Sequence, residues 1–347
     1  VVVSRTPAAR LIIGGKDVTS EVFGKRGPLF SLSVTDEAGR KSDAVELELD
    51  DREGFKAPAP NTEIQVWLGY EPTPVYMGRY KVDQWTKRGG DSGRMLHVSA
   101  KAAELTSDIR AARARSYHGK TVGQIVNEVA GRHGLTAVVD PEVAGRPIGH
   151  IDQSHESDVH FLTRLAHRNG ATFKLADGKI VIAKKGATKL PSGSAKPTIT
   201  LTPGMVATWT ATSANRGDYK AVSAQYGDHK HGRRGRVRSG AGNPEHRVRV
   251  LYATKNEAHR ASFAAQHDLK RGTANFETEG AGLPDVFAEC VILAKGFDPD
   301  VDGEYVVKSV RHVLESRGFR TTLTMETLGE ATDSETDTSD GDTEASP

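Results

Sequence analysis

Gly78-Arg-Tyr-Lys-Val-Asp-Gln-Trp85 and Gly303-Glu-Tyr-Val-Val-Lys-Ser-Val310 carry one pattern: glycine, any residue, tyrosine, any residue, valine, then a bulky apolar residue three positions on. The two copies stand 225 positions apart, and the next turn glycines, Gly93 and Gly318, keep that spacing. Beyond them Leu96, Val98 and Ala100 align with Thr321, Leu323 and Met325. An ungapped register across a strand, a turn and a second strand predicts a duplicated β-hairpin, and with it two related β-domains. Two ordinary hairpins with similar turns are the competing account of these four identities.

Around the first copy the signals stay β-type. Ala44-Val-Glu-Leu-Glu-Leu-Asp50, Ile64-Gln-Val-Trp-Leu68 and Tyr80–Trp85 alternate with period two. Turn clusters at Asp51–Gly54, Pro58–Asn61 and Gly89–Gly93 separate them. Residues 1–105 are therefore expected to form a first small β-barrel domain.

From 106 to 186 the period changes. Thr121 and Gln124 form a capping box ahead of Val122, Ile125, Val126 and Val129, and Gly134 stands where a helix ends. A second helix starts at Ser157-Asp158, burying Val159, Phe161, Leu162, Leu165 and Ala166. A hairpin follows, Thr172–Leu175 and Lys179–Ala183 around Asp177-Gly178. After a polar linker, residues 187–329 hold the strand patterns Thr198–Leu201, Lys220–Tyr226, Arg247–Tyr252, Phe287–Leu293, Tyr305–Val310 and Thr321–Met325. One helix, opened by Thr254 and Glu257, interrupts them. The expected fold class is mixed β and α/β, with two similar small β-barrel domains (1–105 and 187–329) flanking an α/β insert (106–186). Residues 330–347 carry seven acidic and no basic residues, and nothing uncharged larger than threonine except Pro347. Such a tail buries too little to offset its ordering entropy and is expected to be disordered.

At 347 residues the chain has room for two or three domains. Hydrophobic residues make up 37%, charged residues 27%, and mean hydropathy is −0.48. No apolar run is long enough to cross a bilayer. Val1–Ala9 lack the apolar stretch of an export signal, so synthesis and retention in a cytoplasm are expected. Cys290 is the sole cysteine, which excludes an internal disulfide and any multi-thiolate metal site; it reads as a buried thiol on a strand. Net charge is +2, and taking away the tail's seven negative charges leaves residues 1–329 at +9.

No stretch of the chain asks to be an active site. His150-Ile-Asp-Gln-Ser-His155-Glu-Ser-Asp-Val-His160 is rich in histidine, but a zinc-binding helix needs imidazoles four apart, and His155 and His160 are five apart across a helix start. Asp50-Asp51 lies at a strand end, where solvated aspartates are expected, and no nucleophile elbow, phosphate loop or dinucleotide fingerprint occurs. No catalytic, metal or cofactor residue is assigned. The basic anomaly is Asp228-His-Lys-His-Gly-Arg-Arg-Gly-Arg-Val-Arg-Ser-Gly240, read as a glycine-rich loop carrying Lys230, Arg233, Arg234, Arg236 and Arg238, with Arg247 and Arg249 following. A solvated or partner-contacting loop is the leading reading, and contact with passing DNA the second. No aromatic residue is interleaved to stack bases.

Ser116–Leu135 resembles the helix that opens the insert of the phage late-control gene D family. Ile151–Phe173 resembles that family's most recognisable segment, and Gly303–His312 is similar to its closing strands. The family comprises baseplate hub proteins of contractile tails, related to the hub part of type VI secretion spike proteins. The resemblance implies a virion protein, assembled in a bacterial cytoplasm. It would be a homotrimer joining the hexameric tail tube to the trimeric central spike around an axial channel. Tape-measure protein, other baseplate proteins and transiently DNA are further expected partners; no membrane is. The chain departs from type VI spike proteins in passing to an acidic tail after Leu328, so a separate spike protein is expected. Two alternatives stand beside this reading. One is a tail-associated peptidoglycan hydrolase with a carboxylate pair in a cleft. The other is a nucleic-acid-binding protein using residues 229–249.

Overall fold

In the computed structural model the duplicated pattern forms two hairpins of one register. Val75–Gly90 pairs with Gly93–Ala102, and Gly303–Glu315 pairs with Gly318–Thr327. Tyr80 opposite Ala102 and Gly90 opposite Gly93 recur as Tyr305 opposite Thr327 and Glu315 opposite Gly318. Even the β-bulge is repeated, between Val82 and Gln84 and again between Val307 and Ser309. The turn glycines share a left-handed backbone, φ +112° at Gly93 and +114° at Gly318, which side chains rarely adopt. The structure describes residues 5–23, 27–38, 43–91, 93–102, 108–176, 178–184, 198–213, 219–228, 233–270, 274–327 and 335–337.

Each hairpin belongs to a set of six strands. The first set is Pro7–Ile13, Leu29–Glu37, Ala44–Asp50, Glu63–Tyr70, Val75–Gly90 and Gly93–Ala102. The second is Thr198–Leu201, Val206–Ser213, Ala274–Ala281, Val291–Ala294, Gly303–Glu315 and Gly318–Thr327. Numbered by sequence, both sets have the spatial order 1-4-5-6-3-2. They differ in one direction: the first strand runs antiparallel to the fourth in the first set and parallel to it in the second. Antiparallel pairing of Leu29–Glu37 with Gly303–Glu315 fuses both sets into one thirteen-stranded sheet.

Alternation places the apolar residues inside. Along Ala44–Asp50, Val45, Leu47 and Leu49 are buried, as the period-two pattern requires. The first set closes on Leu11, Leu32, Leu47, Ile64, Leu68 and Leu96, and the second on Phe276, Cys290, Ile292, Val307, Leu323 and Met325. Leu314 and Phe319 of the second set pack into the first core, so the two are joined by side chains as well as backbone. Cys290 is buried as expected, but it precedes its strand: Glu289 has φ +69°, which delays regular pairing until Val291.

The middle segment holds helices Val122–Arg132 and Asp158–Arg168, both at their expected places. Thr121 and Gln124 do form the capping box. The helices pack Ile125, Val126, Val129, Phe161, Leu162 and Leu165 against the hairpin Ala171–Ala176 and Lys179–Lys184. The chain is thus mostly β with few helices, a mixed β and α/β fold.

Between the second and third strands of the second set lies a small sheet: Ala221–Asp228, Arg233–Gly240 and Glu245–Tyr252, under helix Lys255–Lys270. The expected arginine-rich loop is therefore a strand from Arg233 onward. Val237 and Ser239 turn inward while Arg236 and Arg238 stay half-buried on the other face, so a charged sequence still satisfies a half-buried ladder. The acidic tail, expected to be disordered throughout, contributes Glu335–Asp337 as a third-party strand along Val237–Ser239. Backbone pairing at an open strand edge needs no apolar burial, which is why composition missed it. The rest of that tail lies outside the described residues.

Candidate assembly surfaces

The two sets are joined along a continuous antiparallel seam. Ser309 faces Glu37 and the ladder continues to Glu315 opposite Ser31. Tyr70 donates its hydroxyl proton to the Gly282 carbonyl at 3.1 Å and meets Phe319 edge-on at 5.5 Å between ring centroids. Gly282 is required there, since a Cβ would lie 1.9 Å from the Phe319 ring. Below the ladder, Asp36 gathers three parts of the chain. Its Oδ2 accepts the Ala288 N–H at 3.0 Å, and its Oδ1 binds the Lys174 ammonium from the middle segment. Lys174 also reaches Asp43 at 3.2 Å.

Burial pushes the Asp43 carboxyl up to about 7, because Lys174 only partly offsets desolvation and the Asp36 charge opposes a second anion. Burial pulls the Lys174 ammonium down, but the two carboxylates outweigh it and raise it to about 12. In an unfolded chain Asp43 titrates near ~3.9. Its folded value is the higher one, so its stabilising contribution is present below ~4 and is lost as pH rises towards 7. Asp43→Asn should flatten this part of the pH dependence. Its melting temperature should exceed the parent's by less at pH 5 than at pH 8; equal differences at both pH values would contradict the assignment.

A second buried cluster fixes the middle segment. Asp158 is fully buried at the start of its helix, where the backbone dipole favours an anion. Arg132 binds both its oxygens at 2.9 and 3.0 Å, His133 Nε2 lies at 2.7 Å, Gln153 donates at 2.8 Å, and Arg113 Nε stands at 3.3 Å. Burial pushes the Asp158 carboxyl up, yet the hydrogen bonds from His133 and Gln153 and the Arg132 charge hold it below its ordinary value. His133 Nδ1 reaches Asp108 at 2.9 Å. A carboxylate–imidazole–carboxylate chain of this kind lacks a nucleophile, and it runs from buried Asp158 and His133 out to Asp108 at the surface.

The other sequence candidates are dispersed. His118 and His150 stack across a strand pair at 4.3 Å, His155 occupies a bulge with φ +50°, and His160 binds Glu156 at 2.6 Å. Among the described residues no group of three histidine, cysteine or carboxylate side chains is arranged to hold a metal. Asp51, expected to be solvated, is buried: Lys87 and Arg94 close over it at 3.1 and 3.4 Å. A cleft lined in part by Glu21, Asp50, Arg52 and Glu53 brings several carboxylates to one surface. There Arg52 holds Asp50 below the usual carboxylate range, the opposite of what a general acid needs.

Of the arginines, Arg236, Arg238 and Arg247 lie 3.7, 3.3 and 3.9 Å from Glu245, which neutralises part of the basic face. Arg233, Arg234 and Arg249 are exposed, and Lys230 lies outside the described residues. Two exposed surfaces were not singled out from sequence. Trp209, 43% exposed, stands on the edge strand Val206–Ser213, and Trp85, 45% exposed, on the outer end of Val75–Gly90.

Residues 81–318 match the family described as phage tail baseplate hub (GPD). A protein of Escherichia phage 186 with the description "Probable baseplate hub protein" is 31% identical over 368 residues, spanning 93% of this chain and 93% of that one. The solved tail protein from Neisseria meningitidis MC58 superposes with a TM-score of 0.72 at 13% identity, covering 93% of this chain and 97% of that one. An Escherichia coli component of the type VI secretion system superposes at 0.56 and 12% identity, covering 91% and 76%. The doubled six-strand sheet is thus a fold of phage tails and related secretion machines. The chain belongs to the phage tail baseplate hub (GPD) family and is a component of the virion's tail baseplate.

Proposed function

We propose that the chain is a homotrimeric adaptor at the tail axis, joining the hexameric tail tube to the trimeric central spike around a channel. Residues 1–105 and 187–329 would each close into a small β-barrel domain, with 106–186 as the α/β insert between them. The observation that carries this reading is the repetition of one six-strand order within a single chain. Three chains then present six similar faces to a six-fold partner while keeping a three-fold face for the other, which removes a symmetry mismatch. Arg233, Arg234, Arg236, Arg238, Arg247 and Arg249 are the candidate contacts to the channel or to a neighbouring protein, with Lys230 beside them. Tape-measure protein, other baseplate proteins and passing DNA are the further partners, and assembly takes place in the host cytoplasm.

The test is capture. Purified full-length chain mixed with the tube and spike proteins of its own particle should yield one complex holding both on gel filtration. A chain that retains neither contradicts the adaptor reading, and cell-wall clearing by that chain would favour the hydrolase instead.

A further inference from the structure

Four arginines gather where the middle segment meets the small sheet and its helix. Arg164 and Arg168 stand on helix Asp158–Arg168, Arg146 just ahead of strand Pro147–Ser157, and Arg260 on helix Lys255–Lys270. Two of them are neutralised close at hand: Arg146 binds Glu142 at 2.8 Å, and Arg164 binds Glu156. Arg168 and Arg260, both half-buried, are not. Among the described residues neither forms an ion pair, and Arg260 makes one long hydrogen bond, donating to the Pro147 carbonyl at 3.5 Å. Its Nε is buried and meets no acceptor. A half-buried cation without a counter-charge is costly. Burial, with the Arg164 charge beside Arg168 and the Arg146 charge beside Arg260, pulls both guanidinium groups below their ordinary value.

The two unpaired arginines line one cavity of about 30 Å³, together with Tyr252, Glu257 and the buried side chains of Ile148 and Leu165. Its one carboxylate is committed to its own helix. Glu257 accepts the Ala253 N–H at 3.3 Å, while Thr254 accepts the Glu257 N–H at 3.2 Å, the cap read from the sequence. The other polar side chains at the cavity are occupied: His150 meets Asp152 at 2.9 Å, and Asn169 donates to the Leu165 carbonyl at 2.9 Å. The Tyr252 hydroxyl makes no hydrogen bond among the described residues, and burial raises its pKa, which keeps its proton available for donation. What remains unused is therefore a set of donors, carrying two positive charges against one negative. The space suits roughly one or two waters. A halide ion fits such a volume, and a tetrahedral oxyanion does not.

We propose that this cavity binds a chloride-sized monoanion, held by the guanidinium groups of Arg168 and Arg260 and by the Tyr252 hydroxyl. The bound ion balances the charge, because two guanidinium groups then face one carboxylate and one chloride. It also acts as a fastener: Arg168 ends a helix of the middle segment, while Tyr252 and Arg260 belong to the small sheet and its helix. The ion would hold these two parts of the chain together.

The test uses the full-length chain at fixed ionic strength, with gluconate, which is too large to enter, replaced stepwise by chloride. The melting temperature should rise along a saturating curve, by roughly 2 °C over the titration, and bromide should reproduce the rise. Arg168→Met combined with Arg260→Met removes the charges and keeps apolar stems; its melting temperature should not respond to either halide. Crystals grown in bromide give a readout separate from stability: an anomalous peak between Arg168 and Arg260, within reach of the Tyr252 hydroxyl. Should the double variant fail to fold, that peak in the unaltered chain decides. A melting temperature indifferent to chloride at fixed ionic strength overturns the site, as do bromide crystals without the peak. A chloride response that the folded double variant retains overturns it too.

Discussion

Replacing Asp158 with alanine is expected to cost about 3–5 kcal/mol, the range for removing one partner from a buried charge cluster. The variant leaves Arg132, His133 and Arg113 facing a packed interior with their shared anion gone. Asp158 is itself fully buried, so their charges lose a partner at a place solvent does not reach in the folded chain. The damage should stay local. Hydrogen exchange should show amides of Val122–Arg132 and Asp158–Arg168 losing protection by roughly 10²–10⁴-fold, the equivalent of that energy. Amides of Ala44–Asp50 and Gly93–Ala102, built on a separate core, should hold theirs. Uniform loss across both regions would contradict the separation of the cores.

Lys174→Met should be the next most damaging change, at about 3 kcal/mol, because it leaves Asp36 and Asp43 side by side without a cation. Two adjacent carboxylates relieve their repulsion by taking up a proton. The loss is therefore expected to be larger at pH 8 than at pH 5, and adding Asp43→Asn should recover part of it at pH 8. Thermal unfolding at the two pH values measures this. A loss independent of pH would show that Lys174 acts through packing of its alkyl stem alone. The same site links the first set, the second set through Ala288, and the middle segment, so its failure should loosen all three.

Much of this fold could be read in the chain. Ala44–Asp50 alternates cleanly, and its buried face is Val45, Leu47 and Leu49. The glycine–tyrosine–valine copies gave the true register of both hairpins because their turn glycines occupy backbone that other residues avoid. What escaped were strands whose inward residues are small or polar. Ala274–Ala281 turns Phe276, Thr278 and Gly280 inward, which does not read as an apolar face. Val206–Ser213 shows no alternation because it is exposed along most of its length, the mark of an edge. Arg233–Gly240 hid behind its arginines, and only Val237 and Ser239 betray the ladder.

The interaction surfaces were less legible than the fold for a related reason. An edge strand is recognised by what does not lie beside it, and a sequence holds no record of its flanks. The arginines drew attention as a cluster, yet Glu245, just ahead of Arg247, already shares three of them. Trp85 and Trp209 carried a usable signal, since a large apolar side chain on a polar strand marks a contact when it is exposed.

In the proposed trimer, two equivalent strand sets per chain assemble six to a ring. The mass of the full-length chain in solution, by light scattering across a concentration series, tests it most directly. A species near three times 37.4 kDa is the expected result. A particle that saturates at one, two or four chains would contradict it.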